Sequence, residues 1–244
     1  MITKSEISQM KKIHSFQNII SLGHFCAPAM QLEKFGFRKS SYPFDWLIIR
    51  DFVLVLQLIK TGYDGTCFLK KEFFAQAEKK KMYYKNIRTS VRFLHDFDAY
   101  RSLDMQWDSF QDKYIRRMNR FQEAILTPTL FIRYVGGEDE LNYISNNIEL
   151  IDSVIKEKCN ENEIIYVCDK DLNPRIDIVV TNTDKDFDFM QNSDVDLLKW
   201  IRLNYASDLS YHKHKTRKIS KLILKLKAIF VTPYQHSLTY KDLD

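Results

Sequence analysis

The sequence predicts an α/β domain in which a mostly parallel sheet is flanked by helices. Short, continuously apolar runs typical of buried strands alternate along the chain with segments of helical periodicity. Strands separated by helices favour parallel pairs with right-handed connections. A hydrophobic content of 45% indicates a large core, and no Pro- or Ser-rich linker precedes about residue 205. We therefore predict one α/β domain over residues 1–205, followed by a basic segment over residues 206–244.

The first predicted unit is a strand followed by a helix. Residues 18–22 are a short apolar run that Gly23 ends. A helix is expected from about Ala27 to Phe35, since Pro28 suits its first turn, where the missing N–H costs nothing, and Gly36 suits its end.

The next region is predicted with less regular structure. Residues 40–46 form an aromatic turn, and an apolar helix is expected over residues 50–60, ended by Gly62. The stretch 63–90 is expected to wrap the surface, and residues 91–95 form the next strand.

The remainder returns to alternating helices and strands. A helix is indicated by apolar residues three or four positions apart, namely Tyr114, Met118, Phe121 and Ile125. Residues 130–135 form a strand ended by Gly136 and Gly137. One long helix is predicted by a single apolar stripe, formed by Leu141, Ile144, Ile148, Ile151 and Ile155. Two strands and a helix are expected at 164–168, 176–181 and 194–203.

Cys26 and His95 are the candidate reactive pair. Ligands of open α/β sheets bind beyond the carboxyl ends of the strands; Cys26 lies just past one predicted strand, and His95 ends another. The N–H groups of a helix start favour a thiolate at Cys26, and His95 is placed to accept the thiol proton. The alternative for each is a buried structural side chain. Asp96, Asp98, Asp169 and Asn182 are candidates to orient the imidazole, with Asp96 placed first.

Four further residues are candidates for substrate binding. His24 is either a second base or a turn residue. Arg133 suits a bidentate contact with a phosphate or carboxylate, or a buried ion pair with Asp45 or Asp96. Asp45 and Trp46, within Pro43-Phe44-Asp45-Trp46, either line a sugar or nucleotide pocket or close the edge of the sheet.

No cofactor, metal or nucleic acid is expected. The four cysteines lack metal-ligand spacing, and neither GxGxxG nor GxxxxGKS occurs. No apolar run reaches the roughly 18 residues of a membrane span, and the N-terminus is polar, so we expect a cytoplasmic protein. The segment from Lys213 to Phe230 predicts a basic amphipathic helix that lies on an anionic inner membrane face or packs on the domain.

Three sequence elements resemble a bacterial family of unknown function that is described as "putative papain-like cysteine peptidases". They are Ser21-Leu22-Gly23-His24-Phe25-Cys26, Pro43-Phe44-Asp45-Trp46 and Phe93-Leu94-His95-Asp96-Phe97. The resemblance implies a cysteine-dependent hydrolase or acyl transferase with Cys26 as nucleophile and His95 as base. The strand, turn, cysteine and helix also follow one another as in a nucleophile elbow.

Two other functions stay open on the sequence. The α/β architecture, Arg133 and the basic helix also suit a transferase that acts on a nucleotide-activated sugar or a lipid-linked glycan in surface-polysaccharide synthesis. A non-catalytic binding protein is the third hypothesis. The expected partner is accordingly a small molecule, a glycan or a peptide.

Overall fold

The structure is a computed structural model, and it describes residues 16–168 and 178–180 except 35, 64, 66, 79, 80 and 99. Eight strands are described: β1 (Asn18–Ser21), β2 (Leu47–Ile48), β3 (Phe73–Glu78), β4 (Lys81–Asn86), β5 (Arg92–Phe93), β6 (Thr129–Val135), β7 (Glu163–Cys168) and β8 (Ile178–Val180). Five α-helices are described: α1 (Ala27–Lys34), α2 (Phe52–Thr61), α3 (Leu103–Ala124), α4 (Glu138–Asn146) and α5 (Ile148–Lys156). A single 3-10 turn, Lys70–Glu72, precedes β3.

The strands form two sheets. The first sheet is parallel, with the order β1-β6-β7-β8. The second sheet is antiparallel, with the order β2-β5-β4-β3. The predicted α/β class is therefore confirmed, but the prediction of a mostly parallel sheet is wrong for half of the described strands.

Alternate residues of the parallel sheet enter two separate apolar clusters. One face of β6 carries Leu130 and Ile132, which pack in a cluster that includes Ala27 and Leu32 of α1. The opposite face carries Phe131, which belongs to the cluster formed by the other four helices and the antiparallel sheet. Coverage of both faces explains why β6 is buried at all seven positions and why it reads as a continuous apolar run.

The antiparallel sheet packs on α3 through aromatic rings. Phe93 of β5 lies 5.3 Å from the ring of Phe110 and 5.8 Å from that of Tyr114. Phe73 of β3 lies 5.4 Å from Phe110 in an edge-on arrangement. Such contacts add to the burial of apolar area, so this layer is attached to the domain and is not a separate unit.

The hairpin of β3 and β4 was not predicted. Residues 74–77 are exposed on both faces of β3, so the alternation of apolar and polar residues that marks a half-buried strand is missing. The predicted strand over residues 91–95 exists as β5, but it joins this antiparallel sheet.

The predicted long helix after Gly137 is two helices. Asn147 separates α4 from α5 with backbone angles φ −127° and ψ 23°. Its side-chain amide donates to the carbonyl of Tyr143 at 2.8 Å, which replaces the helical bond that the chain loses there. The break turns Ile148 out of the apolar stripe, and its side chain is 41% exposed.

Several predictions lie outside the described residues. These are the helix over residues 194–203, the boundary at residue 205 and the basic helix of the C-terminal segment. Within the described ranges, no helix combines the length and the apolar character needed to cross a membrane.

Candidate functional site

The turn between β1 and α1 is held in an unusual backbone conformation. Gly23 and His24 both have positive φ, 77° and 81°. A side chain at Gly23 would lie 2.9 Å from Cγ2 of Ile49, so only glycine fits there. His24 is a non-glycine residue in the left-handed region, and its carbonyl accepts a hydrogen bond from the N–H of Ile49 at 3.0 Å. The surrounding structure therefore imposes this turn.

Cys26 lies at the start of α1, as the sequence predicts. Its carbonyl accepts from the N–H of Met30 at 3.0 Å, which makes Cys26 the N-cap residue. The side chain is partly exposed. Burial raises the pKa of the Cys26 thiol, and the backbone N–H of Cys26 opposes this effect only in part. The expected preference for a thiolate is therefore not met in the free protein.

His95 follows β5 and its side chain is exposed. Its ring packs edge-on against Trp46, with the ring centroids 5.8 Å apart. The guanidinium of Arg38 lies 5.1 Å from the ring of Trp46. Cys26 and His95 thus follow strands of different sheets, which corrects the expectation that they share one sheet edge; their pairing stays a prediction.

Asp96 is engaged by α3. Its carboxylate pairs with Lys113 Nζ at 2.7 Å and Arg117 at 3.5 Å, and it accepts from the Tyr114 hydroxyl at 3.1 Å. These contacts fix the segment after β5 to the helix. Of the other candidates for a third group, Asp98 pairs with Arg101 at 3.6 Å, and Asp169 and Asn182 lie outside the described residues.

Asp45 is buried, with 1% of its surface exposed. One carboxylate oxygen accepts from the N–H of Tyr42 at 2.9 Å and from Arg38 at 3.3 Å. The other oxygen is buried without a partner among the described residues. Burial raises the pKa of Asp45 to about 6, and the hydrogen bond from Tyr42 and the charge of Arg38 oppose it.

Arg133 is fully buried on β6, at 0% exposure. Its Nε donates to Glu140 at 2.7 Å, and its terminal nitrogens donate to the carbonyls of Leu22, Ile49 and Arg50 at 2.9–3.1 Å. Of the two roles that the sequence left open, the structure shows the ion pair. The partner is Glu140, whereas the expected partners were Asp45 and Asp96.

Glu140 also contacts the turn before α1. Its Oε2 lies 3.2 Å from Nδ1 of His24 and accepts from the N–H of Gly136 at 3.2 Å. Burial alone would raise the pKa of Glu140, but Arg133 and His24 together hold the pKa below its usual value. Burial lowers the pKa of His24, which therefore stays neutral at neutral pH. His24, Arg133 and Glu140 form one buried network, which we call the His24–Glu140–Arg133 network.

A cleft of 360 Å³ lies over this network, beyond the carboxyl ends of β1 and β6. It is lined by residues from the β1–α1 turn, the start of α2 and the start of α4: His24, Arg50, Asp51, Phe52, Val53, Gly136, Gly137, Asp139, Glu140 and Tyr143. Its position is the one expected for ligand sites of parallel sheets. No cluster of three metal-ligating side chains occurs among the residues described.

Glu140 and Arg50 are lining residues that the sequence analysis missed. Glu140 stands three residues after Gly137, in the first turn of a helix, where acids are common for reasons of helix capping alone. The only sequence signal for its role was that Glu140 lies seven positions after Arg133, close in sequence to the predicted end of the strand.

Comparisons with known proteins give a consistent result. A family model described as "Putative papain-like cysteine peptidase (DUF1796)" matches residues 17–170. The chain is also similar to "Uncharacterized protein R408" of Acanthamoeba polyphaga mimivirus, with 28% identity over 167 residues, which span 61% of this chain and 74% of that protein. No solved structure matches the chain.

Replacing Arg133 with methionine is expected to destabilise the fold by about 3–5 kcal/mol, because Glu140 stays buried without its cation. Urea unfolding measures the change in free energy. The control is Lys156→Met, which removes an exposed ion pair with Asp152 and should cost less than about 1 kcal/mol. Equal effects of the two substitutions would contradict the central role of Arg133.

Gly136→Ala is expected to destabilise the protein by about 1–3 kcal/mol, because the added methyl would lie 2.0 Å from Cε1 of His24. Gly137→Ala is the matched control, since nothing lies within 4 Å of its added methyl. In a His24→Ala background, Gly136→Ala should cost much less, which thermal unfolding of the four variants can measure. An unchanged cost in that background would show that the ring is not the obstacle.

Asp45→Asn is expected to gain stability relative to the native protein as pH rises. The pKa of Asp45 is about 6 in the folded chain, against an ordinary value of 3.8. The folded native protein therefore retains its full stability below pH 3.8 and loses part of it as pH rises through about 6, where the buried carboxyl must ionise. The relative gain should be about 1–3 kcal/mol between pH 4 and pH 8, by urea unfolding. Asp152→Asn, at an exposed position, is the control. A difference that is constant with pH would refute the shift.

Proposed function

Since the chain belongs to the "putative papain-like cysteine peptidase" family, we propose that it is a cysteine-dependent hydrolase or acyl transferase with Cys26 as nucleophile and His95 as base. The observation that carries the proposal is the position of Cys26: a partly exposed thiol at the N-cap of α1, which the turn of residues 22–25 joins to β1 of the parallel sheet. A cysteine in this position presents its sulfur beside the N–H groups of a helix start.

The proposal is supported by the packing around Cys26 and His95. Phe25 and Ala27, the neighbours of Cys26 in sequence, belong to the same apolar cluster as Leu94, which precedes His95. The segment of residues 42–49 also contacts both regions. Ile49 donates to His24 near one end of the segment, and Trp46 packs against His95. This shared packing supports the pairing of the two candidate residues.

The chemistry follows from these groups. His95 takes the proton from the Cys26 thiol as the sulfur attacks the carbonyl carbon of the substrate. The negative charge that develops on the carbonyl oxygen is stabilised by the backbone N–H groups of Cys26 and Ala27. The leaving group takes the proton from His95 and departs, and an acyl group remains on the sulfur. Water, or an acceptor in a transferase, then releases the acyl group with the help of the same imidazole.

The raised pKa of Cys26 defines what the base must do. The thiol is protonated at neutral pH, because burial opposes the thiolate. A preformed thiolate–imidazolium pair is therefore not the resting state in this proposal. Proton transfer to His95 accompanies attack on the substrate, so activity depends on the base more strongly than it would with a preformed thiolate.

The test of the proposal is the rate of alkylation at each cysteine, measured with iodoacetamide and mass spectrometry at pH 7. Although the resting Cys26 thiol is protonated, His95 takes its proton as the sulfur attacks, so Cys26 is expected to react at least about tenfold faster than Cys159, which is also partly exposed. His95→Ala should remove most of that advantage and leave the rate at Cys159 unchanged. The rate at Cys26 should also rise between pH 7 and pH 9, since its pKa is raised.

Cys26→Ala and Cys159→Ala form the matched pair for activity. On thioester and ester substrates, Cys26→Ala should lose at least about 100-fold in kcat, whereas Cys159→Ala should act as the native protein does. If Cys26 reacts no faster than Cys159 and His95→Ala changes nothing, the enzymatic proposal is wrong and a binding protein is the better hypothesis.

A further inference from the structure

The cleft above the His24–Glu140–Arg133 network has no part in the cysteine chemistry. Neither Cys26 nor His95 is among its described lining residues. Its volume of 360 Å³ is at the small end of the range of ligand sites, about 300–1,000 Å³. Three segments that are distant in sequence form it, and the buried network holds all three in place.

His24 lines this cleft and carries a buried, unpaired acceptor beside Gly136, another lining residue. Glu140 is held ionised by Arg133, so it accepts only, and the hydrogen between it and His24 must lie on Nδ1. The neutral imidazole therefore carries a lone pair on Nε2. That atom is buried and has no hydrogen-bond partner among the described residues, while the residue as a whole is 3% exposed. A buried acceptor of this kind is usually satisfied, so a donor from a ligand is indicated.

The start of α4 presents donors at the same cleft. Its N-cap residue is Gly137, which has an extended backbone and no capping side chain. The first N–H groups of the helix therefore lack the usual side-chain acceptor. By contrast, Asp51 caps α2 by accepting from the N–H of Leu54 at 3.1 Å. The space beside Gly137 is open to 4 Å, so a ligand has room to reach the start of α4.

The charges around the cleft favour neither an anionic nor a cationic ligand. Arg50 contributes a positive charge, whereas Asp51 and Asp139 contribute negative charges. The charge of Glu140 is offset by Arg133 beneath it. A phosphate would meet the two aspartates, and an amine would meet Arg50. The partly exposed ring of Tyr143 adds apolar surface to this polar lining, whereas Phe52 is buried beneath it with its ring against the guanidinium of Arg133.

We propose that this cleft binds an uncharged, hydroxyl-rich ligand of about the size of one sugar ring. A hydroxyl both donates and accepts, so one ligand satisfies Nε2 of His24, the carboxylates at the rim and the N–H groups of α4 together. The partly exposed ring of Tyr143 suits the apolar face of a sugar ring. The site is independent of Cys26.

The experiment is saturation-transfer NMR on the full chain with glucose, galactose, N-acetylglucosamine and rhamnose, with inorganic phosphate and putrescine as charged probes. At least one neutral sugar should bind in about the millimolar range. Gly137→Val places a side chain in the open space of the cleft, where an extended backbone tolerates it, and should weaken binding at least about tenfold. Ser153→Val, on the exposed surface of α5, is the matched control and should bind as the native protein does.

Cys26→Ala should also bind sugar normally, which separates this proposal from the cysteine chemistry. Asp139→Asn, at the exposed rim, gives a second variant that keeps the fold and should weaken binding. Three outcomes overturn the proposal: none of the four sugars binds, binding is unchanged in both Gly137→Val and Asp139→Asn, or only phosphate or putrescine binds.

Discussion

The buried guanidinium of Arg133 is the interaction on which the site depends. A fully buried cation costs much free energy unless every polar neighbour is arranged around it. Here those neighbours are Glu140 on α4, the carbonyl of Leu22 at the end of β1, and the carbonyls of Ile49 and Arg50 before α2. Arg133 thereby fixes the relative positions of three chain segments that are far apart in sequence.

The same network accounts for the conformation of the turn that leads to Cys26. His24 accepts an unfavourable backbone angle because its ring bonds to Glu140 and its carbonyl bonds to Ile49. Because Gly136 has no side chain, the ring lies directly on the backbone just after β6. The orientation of α1, and with it the position of the thiol, is therefore set by residues more than a hundred positions away in sequence.

Local patterns predicted some of this architecture and not the rest. The apolar run of β6 and the Gly36 stop of α1 are local signals, and both elements lie where they were expected. The hairpin of β3 and β4 was missed because exposed residues on both faces carry no periodicity. The position of Cys26 at a helix start was predictable from Pro28 and Gly23. The partner of Arg133 was not, since Glu140 is one of three consecutive acids at the start of α4.

The order of strands has a consequence for how the chain is made. In the described part of the structure β1 pairs with β6 alone, and residue 18 lies opposite residue 129. The whole antiparallel layer and α3 are inserted between them. In a nascent chain, β1 therefore cannot pair until β6 has left the ribosome. Contacts between segments so far apart in sequence form slowly. The turn that leads to Cys26 is therefore completed late, after most of the surrounding domain has been synthesised.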